Sequence, residues 1–128
     1  MTRDRIQRKD NREFAIELER RTRLFAVAII RLSSNLPNTP EGKVLRNQIT
    51  KSGTSIGANY REANRSRSKA DFQNRIKICE SEASETQYWL EVIKDADLLP
   101  AGTLSRDQQE CGELLAIFNA IANSKEKI

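Results

Sequence analysis

The sequence predicts an all-α protein, an antiparallel four-helix bundle whose successive helices run up, down, up and down. Apolar residues recur at alternating spacings of four and three along four long segments, a pattern typical of helices that pack lengthwise against one another. Short connections with turn-forming residues separate these segments, and short connections join helices that are antiparallel neighbours. The sequence contains no candidate strand, which leaves the helical bundle as the predicted architecture.

The first helix is predicted from about Asn11 to Leu36, and Pro37 ends it because proline cannot continue the hydrogen-bond ladder. Its seam, spaced 4-3-4-3-4, consists of Leu18, Thr22, Phe25, Ile29, Leu32 and Leu36. Residues 1–12 carry many basic and few apolar side chains. We therefore divide the chain into a basic N-terminal arm, residues 1–12, and the bundle, residues 13–128. The arm is either mobile or forms the first turns of the helix.

The second helix is predicted to begin at Thr39-Pro40-Glu41, which combines a capping threonine, a proline in the first position and an acid in the first turn. It runs to about Asn64, with a seam of Leu45, Ile49, Ser52, Ile56, Asn59 and Ala63. Gly53 and Gly57 lie inside it, where a glycine costs up to about 1 kcal/mol relative to alanine. Their presence predicts a close neighbouring backbone or bulky side chain; a bent or locally weak helix is the alternative.

The third helix is predicted to begin after Ser68, whose spacing to Asp71 is that of a capping box, and to end near Ala96. Its seam consists of Phe72, Ile76, Cys79, Ala83, Thr86, Leu90 and Ile93. A second stripe runs beside the seam, formed by Ile78, Glu82, Glu85, Trp89 and Val92. A helix on the outside of a small bundle needs only one apolar face, so the second stripe predicts a contact beyond its own bundle.

The fourth helix is predicted to follow a loop over residues 97–102, with a capping-box spacing between Ser105 and Gln108, and to reach about Ser124. Its stripe consists of Gln108, Cys111, Leu115, Phe118 and Ala122, reinforced by Leu114 and Ile121. Cys79 and Cys111 both fall on apolar stripes, so we expect two buried, reduced thiols, with a disulfide as the alternative.

Composition narrows the class of protein. A chain of 128 residues forms one domain with a core of its own, and 38% hydrophobic with 31% charged residues suits exposed helices around a thin core. The longest apolar run, Leu24 to Ile30, is too short for a membrane span or a signal-peptide core, so a cytoplasmic location is expected. The sequence has no histidine, which removes the commonest general base and the commonest transition-metal ligand.

The charge distribution predicts a basic end. Residues 1–64 carry a net charge of +6 and residues 65–128 carry −2. The up-down-up-down topology places the N-terminus, the turn between the second and third helices and the C-terminus at one end. The basic residues there are Arg3, Arg5, Arg8, Lys9, Arg12, Arg61, Arg65, Arg67, Lys69, Lys125 and Lys127. Such an end attracts the phosphates of RNA or DNA with little base stacking, since Tyr60 is the only aromatic nearby. The alternative is a solubilising surface without a ligand.

Two pairs of carboxylates invite an enzymatic interpretation. Glu82 with Glu85, and Glu110 with Glu113, could hold magnesium as in all-helical nucleotide pyrophosphohydrolases. Glu110 and Glu113, however, flank the stripe of their helix, and the chain offers no obvious phosphate-cradling loop. We expect no enzymatic activity, no cofactor and no bound metal. A structural role is favoured instead, because a partly buried carboxylate needs a donor or an ionic partner. Candidate partners are Arg61, Arg75, Asn59, Ser52 and Ser55.

Three motifs in register resemble a known family. They are SGTSIGANYREA at residues 52–63, SKADF at residues 68–72 and EASETQYWL at residues 82–90. Together they resemble bacterial four-helix-bundle proteins first noted inside intervening sequences of large-subunit ribosomal RNA genes. The resemblance covers residues 25–99. The matching positions are Gln48, Ser52, Ser55, Ile56, Asn59, Glu62, Asp71, Phe72, Glu82, Glu85, Thr86, Tyr88, Trp89 and Leu90.

The resemblance implies a homopentamer, a closed ring with a central channel. Relatives include accessory proteins of diversity-generating retroelements, which are basic pentamers that bind nucleic acid and a reverse transcriptase. The second stripe on the third helix fits such an assembly. We accordingly expect polar or subunit contacts at Ser52, Ser55, Asn59, Glu62, Glu82, Glu85 and Trp89.

These observations lead to one expected function and one competitor. The expected function is that of a non-enzymatic oligomeric bundle that binds RNA or DNA phosphates at its basic end, as an accessory to another protein. The competitor is a protein-interaction scaffold with no role in nucleic-acid binding, in which the charge is incidental.

Overall fold

The architecture consists of four helices, each packed against the next one along the chain. The computed structural model describes the backbone of residues 3–124 and the side chains of residues 9–124. The helices are α1 (Arg3–Ser34), α2 (Pro40–Ala63), α3 (Lys69–Asp95) and α4 (Ser105–Ala122), and the described residues contain no strand. Each helix packs against the next, α1 also touches α4, and α1 does not contact α3. The all-helical prediction with four helices is therefore confirmed.

Pairs of contacts show that neighbouring helices run in opposite directions. Along α2, Ser52 contacts Thr86 while Ile56, further on, contacts the earlier residue Cys79. Between α1 and α2, Gly53 lies against Ile29 and Gly57 against the earlier Thr22. The pairing therefore follows the antiparallel order, as expected for helices joined by short connections.

Local sequence sets two of the helix starts. Thr39 accepts a hydrogen bond of 3.0 Å from the amide of Gly42, with Pro40 in the first helical position. Ser68 likewise accepts one of 3.0 Å from the amide of Asp71. These caps satisfy amides that have no partner inside the helix. Both capping residues were predicted from the sequence, and both are confirmed.

The start of α4 differs from the prediction. Ser105 is the first residue of the helix rather than its cap, Leu104 occupies the capping position, and no side chain caps the helix. Leu104 already has helical backbone angles, with φ −91° and ψ −11°, and its side chain is only 6% exposed, so the chain turns helical one residue earlier than a serine cap requires. The capping-box interpretation of Ser105 and Gln108 was wrong.

The predicted seams of α1 and α3 form most of the core. Every seam residue of these two helices is buried, among them Ile29, Phe72 and Leu90 with no exposed surface. Cys79 and Cys111 are buried free thiols, and burial raises the pKa of each to about 12, so both stay protonated. The expectation of two reduced thiols is confirmed.

Gly53 and Gly57 allow α1 and α2 to approach closely. A Cβ atom at Gly53 would lie 2.8 Å from Cγ2 of Ile29, and one at Gly57 would lie 2.9 Å from Oγ1 of Thr22. Neither position has room for a methyl group, which explains why α2 tolerates glycine in its interior. The predicted close approach of a bulky side chain is confirmed.

The first helix extends well past the turn between α2 and α3. Glu19 accepts a hydrogen bond of 2.9 Å from Asn64, which follows the last residue of α2. The helix begins 16 residues earlier, at Arg3, and this length corresponds to about 24 Å of helix. Residues 3–12, treated above as an arm, continue α1 in the structure.

Substituting Gly53 by alanine is expected to destabilise the protein, although alanine favours helix by about 1 kcal/mol. The new methyl group would press on the buried Ile29 side chain, and overpacking of this kind costs about 1–3 kcal/mol. Thermal or urea unfolding measures the change. Gly112→Ala serves as the matched control, because its Cβ would lie 3.7 Å from Gln87 and fits without strain. The control should gain stability; a gain at both positions would contradict the tight α1–α2 contact.

Candidate functional site

The turn between α2 and α3 presents exposed arginines. Arg61, Arg65, Arg67 and Lys69 all lie at this turn with exposed side chains. Arg61 Nε is 3.7 Å from Glu19 Oε1, so its charge is partly compensated. For Arg65 and Arg67, the described part of the chain provides no carboxylate within ion-pair distance. The charges of these two arginines are therefore uncompensated within the described residues.

The predicted basic arm lies along the extension of α1. Lys9 and Arg12 are exposed there, beyond the level of Glu19. The side chains of Arg3, Arg5 and Arg8 lie outside the described residues, as do Lys125 and Lys127. The structure therefore shows the turn and one part of the arm at the same end of the bundle.

Basic and acidic side chains also lie on different sides of the bundle, a feature that was not predicted from the sequence. Residues 1–19 carry five basic and five acidic side chains, so the extension is neutral overall. Residues 20–61, on α1 and α2, carry eight basic side chains against one acidic, a net charge of +7. Residues 70–122, on α3 and α4, carry four against ten, a net charge of −6. Grouping charges by predicted helix rather than by predicted end would have revealed this.

Tyr60 does not lie at the edge of the turn as the sequence suggested. Its side chain has no exposed surface and stacks edge-on against Phe118, with ring centroids 5.5 Å apart. Burial raises the pKa of its hydroxyl to about 12. Asn59, assigned to the seam of α2, is only half-buried, and Tyr60 takes the core position instead. Tyr60 is consequently unavailable for base stacking.

An arginine holds the two carboxylates of α4. Arg21 Nε donates to Glu110 at 2.8 Å, and its Nη2 donates to Glu110 at 2.7 Å and to Glu113 at 2.6 Å. This cluster bridges α1 and α4, the pair of helices with the smallest contact in the bundle. The hydrogen bond that Arg21 donates to Glu113 lowers the pKa of Glu113, and the hydrogen bonds that Arg21 donates to Glu110 raise the pKa of Arg21.

The bridge has a consequence for the magnesium alternative. Glu110 and Glu113 both accept hydrogen bonds from the guanidinium of Arg21 on α1. Over the described part of the chain, no three carboxylate or thiol groups come together in a way that could hold a metal ion. The carboxylates of α4 thus act as structural partners of Arg21.

The predicted polar contacts divide into buried and exposed groups. Ser52 and Thr86 place their hydroxyl oxygens 2.9 Å apart between α2 and α3, with no exposed surface on either residue. Ser55 donates to the carbonyl of Lys51, and Asn59 donates to that of Ser55, so both bond within α2. Glu62, in the last turn of α2, is exposed. The polar contact between helices in this set is therefore the Ser52–Thr86 pair.

Glu82 and Glu85, the two glutamates of the second stripe on α3, do not contact the partners predicted for them. Glu85 accepts a hydrogen bond of 3.3 Å from the indole of Trp89. Glu82 is half-buried, and the described residues give it no hydrogen bond or ion pair with any expected partner. Burial and then the charge of Glu85 raise the pKa of Glu82, while Lys51 opposes them. Glu82 is thus a partly desolvated carboxylate beside a second glutamate, Glu85, on a stripe that is otherwise apolar.

These features define the protein as a helical bundle with a basic turn. The α1–α2 side is positively charged and the α3–α4 side negatively charged, and the described residues contain no cluster that could hold a metal ion. The sequence matches the model of the 23S rRNA-intervening sequence protein family over residues 15–120. The chain belongs to this family, and the predicted resemblance is confirmed.

A solved structure agrees with this assignment. The chain is similar to a protein of unknown function from the S23 ribosomal protein family of Bacteroides thetaiotaomicron VPI-5482, a crystal structure at 1.70 Å resolution. The two share 35% sequence identity over 83% of this chain and 98% of the other, with a TM-score of 0.77. Comparison with curated protein sequences gives no match. No helix of the described residues is long and apolar enough to cross a membrane.

Replacing Arg21 with glutamine is expected to destabilise the bundle by on the order of 1 kcal/mol, because the bridge is partly solvent-exposed. Since Arg21 lowers the pKa of Glu113, the bridge contributes fully above the ordinary glutamate pKa. Its contribution is lost as the pH falls through the lowered value. Thermal melting over a pH series measures both effects. Arg20→Gln, which removes an exposed pair with Glu17, should change little; equal losses would contradict the bridge.

Glu82→Gln is expected to raise the melting temperature of dilute protein at pH 7. Because the folded state raises the pKa of Glu82, ionisation costs stability as the pH rises through that value. Below the ordinary glutamate pKa, both states are protonated and the gain should vanish. Glu91→Gln, an exposed position on the same helix, provides the control. A loss of stability in Glu82→Gln would show instead that this carboxylate has a favourable partner.

Proposed function

We propose that this protein is a non-enzymatic, cytoplasmic, oligomeric bundle that binds the phosphate backbone of RNA or DNA through the turn between α2 and α3. One observation carries the proposal: Arg65 and Arg67 are exposed and have no carboxylate partner among the described residues. They lie next to the N-terminus of α3, whose helix dipole also favours anions. Arginines placed in this way bind phosphates with little dependence on base sequence.

The arm strengthens this proposal. Lys9 and Arg12 lie on the extension of α1, at the end of the bundle where Glu19 meets the turn. Residues 3–12 of this extension carry five basic side chains against two acidic ones, so a polyanion that continues from the turn along α1 meets net positive charge there, past the acidic residues 13–19. This surface is the proposed nucleic-acid interface; the remaining basic residues of the two termini were assigned to it from the sequence and lie outside the described side chains.

Family membership supports the same function. The family takes its name from intervening sequences of 23S ribosomal RNA, and the similar crystal structure belongs to a family named for a ribosomal protein. The resemblance implies a homopentameric ring, and a ring would multiply weak phosphate contacts by presenting several basic ends on one side. We propose that such a ring acts as an accessory to another protein, for example a reverse transcriptase.

A second candidate function has its own observation. The outer surface of α1 exposes apolar side chains, with Ile16 at 61%, Leu24 at 48% and Ile30 at 49% exposure. Apolar surface of this kind favours contacts with protein. It supports the protein-interaction scaffold as the alternative. The magnesium-dependent pyrophosphohydrolase gains no comparable support, because Arg21 holds the carboxylates of α4.

Replacing Arg65 and Arg67 with alanine is expected to weaken the binding of a labelled single-stranded RNA of mixed sequence. Each phosphate contact removed should lower the slope of log affinity against log salt by about 1. Fluorescence anisotropy at about 50 mM and about 200 mM salt measures both quantities. RNAs of different sequence should lose affinity equally, because backbone contacts carry no base information.

The control removes cations from the opposite end. Lys94 and Arg106 are exposed at the end of α3 and the start of α4, and alanine at both should leave RNA binding unchanged. Equal weakening in the two double variants would show that net charge alone governs binding. Absence of binding by the unaltered protein at low salt would contradict the proposal and favour the scaffold.

A further inference from the structure

Phe14 is an exposed aromatic side chain on the extension of α1. It lies four residues before Leu18, the first residue of the core seam, so both side chains share the face of α1 that packs on the bundle. Leu18 is 3% exposed, whereas Phe14 is 40% exposed. The two differ because α2 ends at the level of Glu19, and α1 continues past it. Phe14 thus extends the core seam beyond the helix that covers it.

The antiparallel register brings Phe14 level with the turn between α2 and α3. Thr22 of α1 lies against Gly57 of α2. Because the two helices run in opposite directions, each residue toward the start of α1 is matched by one toward the end of α2. Phe14 is eight residues before Thr22, and Arg65 is eight residues after Gly57. Neighbouring helix axes lie about 8–10 Å apart, so the ring and Arg65 occupy the same part of the bundle end.

The charges near the ring separate two kinds of contact. Residues 13–19 contain three acidic side chains and no basic one, so the helix around Phe14 does not attract phosphate. Arg65 and Arg67, at the turn, are exposed and have no carboxylate within ion-pair distance among the described residues. Phosphates are therefore directed to the turn, and this part of α1 offers a nucleic acid the apolar face of the ring.

An exposed phenyl ring is a platform on which a nucleic-acid base can stack. Stacking of this kind tolerates every base, because every base has a π-face. It requires an unpaired base, since a duplex presents only base edges in its grooves and keeps the faces of its bases stacked on one another. A ring beside a phosphate site thus distinguishes nucleic acids by strandedness and not by sequence.

We infer that Phe14 stacks on an unpaired base of a nucleic acid whose backbone phosphates contact Arg65 and Arg67. This end of the bundle then binds single strands in preference to duplexes. The inference rests on the proposed function and adds the class of its substrate. Tyr60, the aromatic that the sequence placed at the turn, is buried and leaves the stacking role to Phe14.

The test compares two variants of Phe14 on two forms of RNA. Phe14→Leu keeps an apolar side chain but removes the ring, and Phe14→Trp enlarges the ring. Circular dichroism verifies folding, and fluorescence anisotropy measures affinity for a labelled single strand of mixed sequence and for its duplex. The unaltered protein should prefer the single strand. Phe14→Leu should lower single-strand affinity by a factor of about 5 to 150, which corresponds to one stacked base, and leave duplex affinity unchanged. Phe14→Trp should bind the single strand at least as tightly as the unaltered protein.

A strand without bases separates stacking from the flexibility of a single strand. An oligonucleotide of abasic sites keeps the phosphates and lacks the π-faces. Phe14→Leu should bind it as the unaltered protein does, whereas Arg65→Ala with Arg67→Ala should bind it more weakly. The inference is overturned if Phe14→Leu loses affinity equally for strands with and without bases. Equal affinity of the unaltered protein for single strand and duplex, or a loss in Phe14→Trp as large as in Phe14→Leu, overturns it as well.

Tyr88 provides a matched aromatic control. It is 56% exposed and lies seven residues before the end of α3, on the half of the helix away from the turn. Tyr88→Leu should leave both affinities unchanged, and a loss equal to that of Phe14→Leu would overturn the assignment to Phe14. Failure of the proposed function looks different, because the unaltered protein would then bind neither form at low salt. Binding that depends on Arg65 and Arg67 but not on Phe14 contradicts only the stacking inference.

Discussion

The close contact between α1 and α2 sets the position of the other features of this bundle. Gly53 and Gly57 leave no room for a side chain, so Ile29 and Thr22 pack directly on the backbone of α2. This contact fixes both the rotation of α1 and its axial register. The rotation directs the core seam of α1 inward and its outer surface away from the bundle. The register brings Glu19 level with the end of α2, which leaves the start of α1 to extend beyond the bundle.

The orientation of α1 about its axis also determines which polar side chains meet between the helices. With α1 held in place, Arg21 reaches across to Glu110 and Glu113 and closes the side of the bundle where the helices touch least. Carboxylates that invite a metal-binding interpretation in the sequence are structural partners of an arginine. The buried hydroxyl pair of Ser52 and Thr86 satisfies the polar groups between α2 and α3. The buried hydroxyl pair thus helps to set the register of α2 and α3, and the partly exposed bridge holds α1 against α4.

Two surfaces remain for function, and they differ in chemistry. The turn after α2 has arginines without apolar neighbours on the same loop, which suits phosphate groups. The outer surface of α1 mixes arginine with valine, leucine and isoleucine, which suits an acidic, partly apolar protein surface. Family membership connects the chain to 23S rRNA intervening sequences without assigning either surface. The proposed division of roles between them rests on the chemistry of the side chains.

Sequence alone was enough to predict the four helices, the core seams of α1 and α3, the caps at Thr39 and Ser68, and the family. These features depend on spacing and local hydrogen bonds, which are visible over a few residues. Tertiary packing was needed to show that Tyr60 enters the core, that Leu104 occupies the capping position of α4, and that Arg21 binds the acids of α4. It also placed opposite charges on opposite flanks. These outcomes depend on how helices rotate and slide against one another, and contacts between residues far apart in the chain set that arrangement.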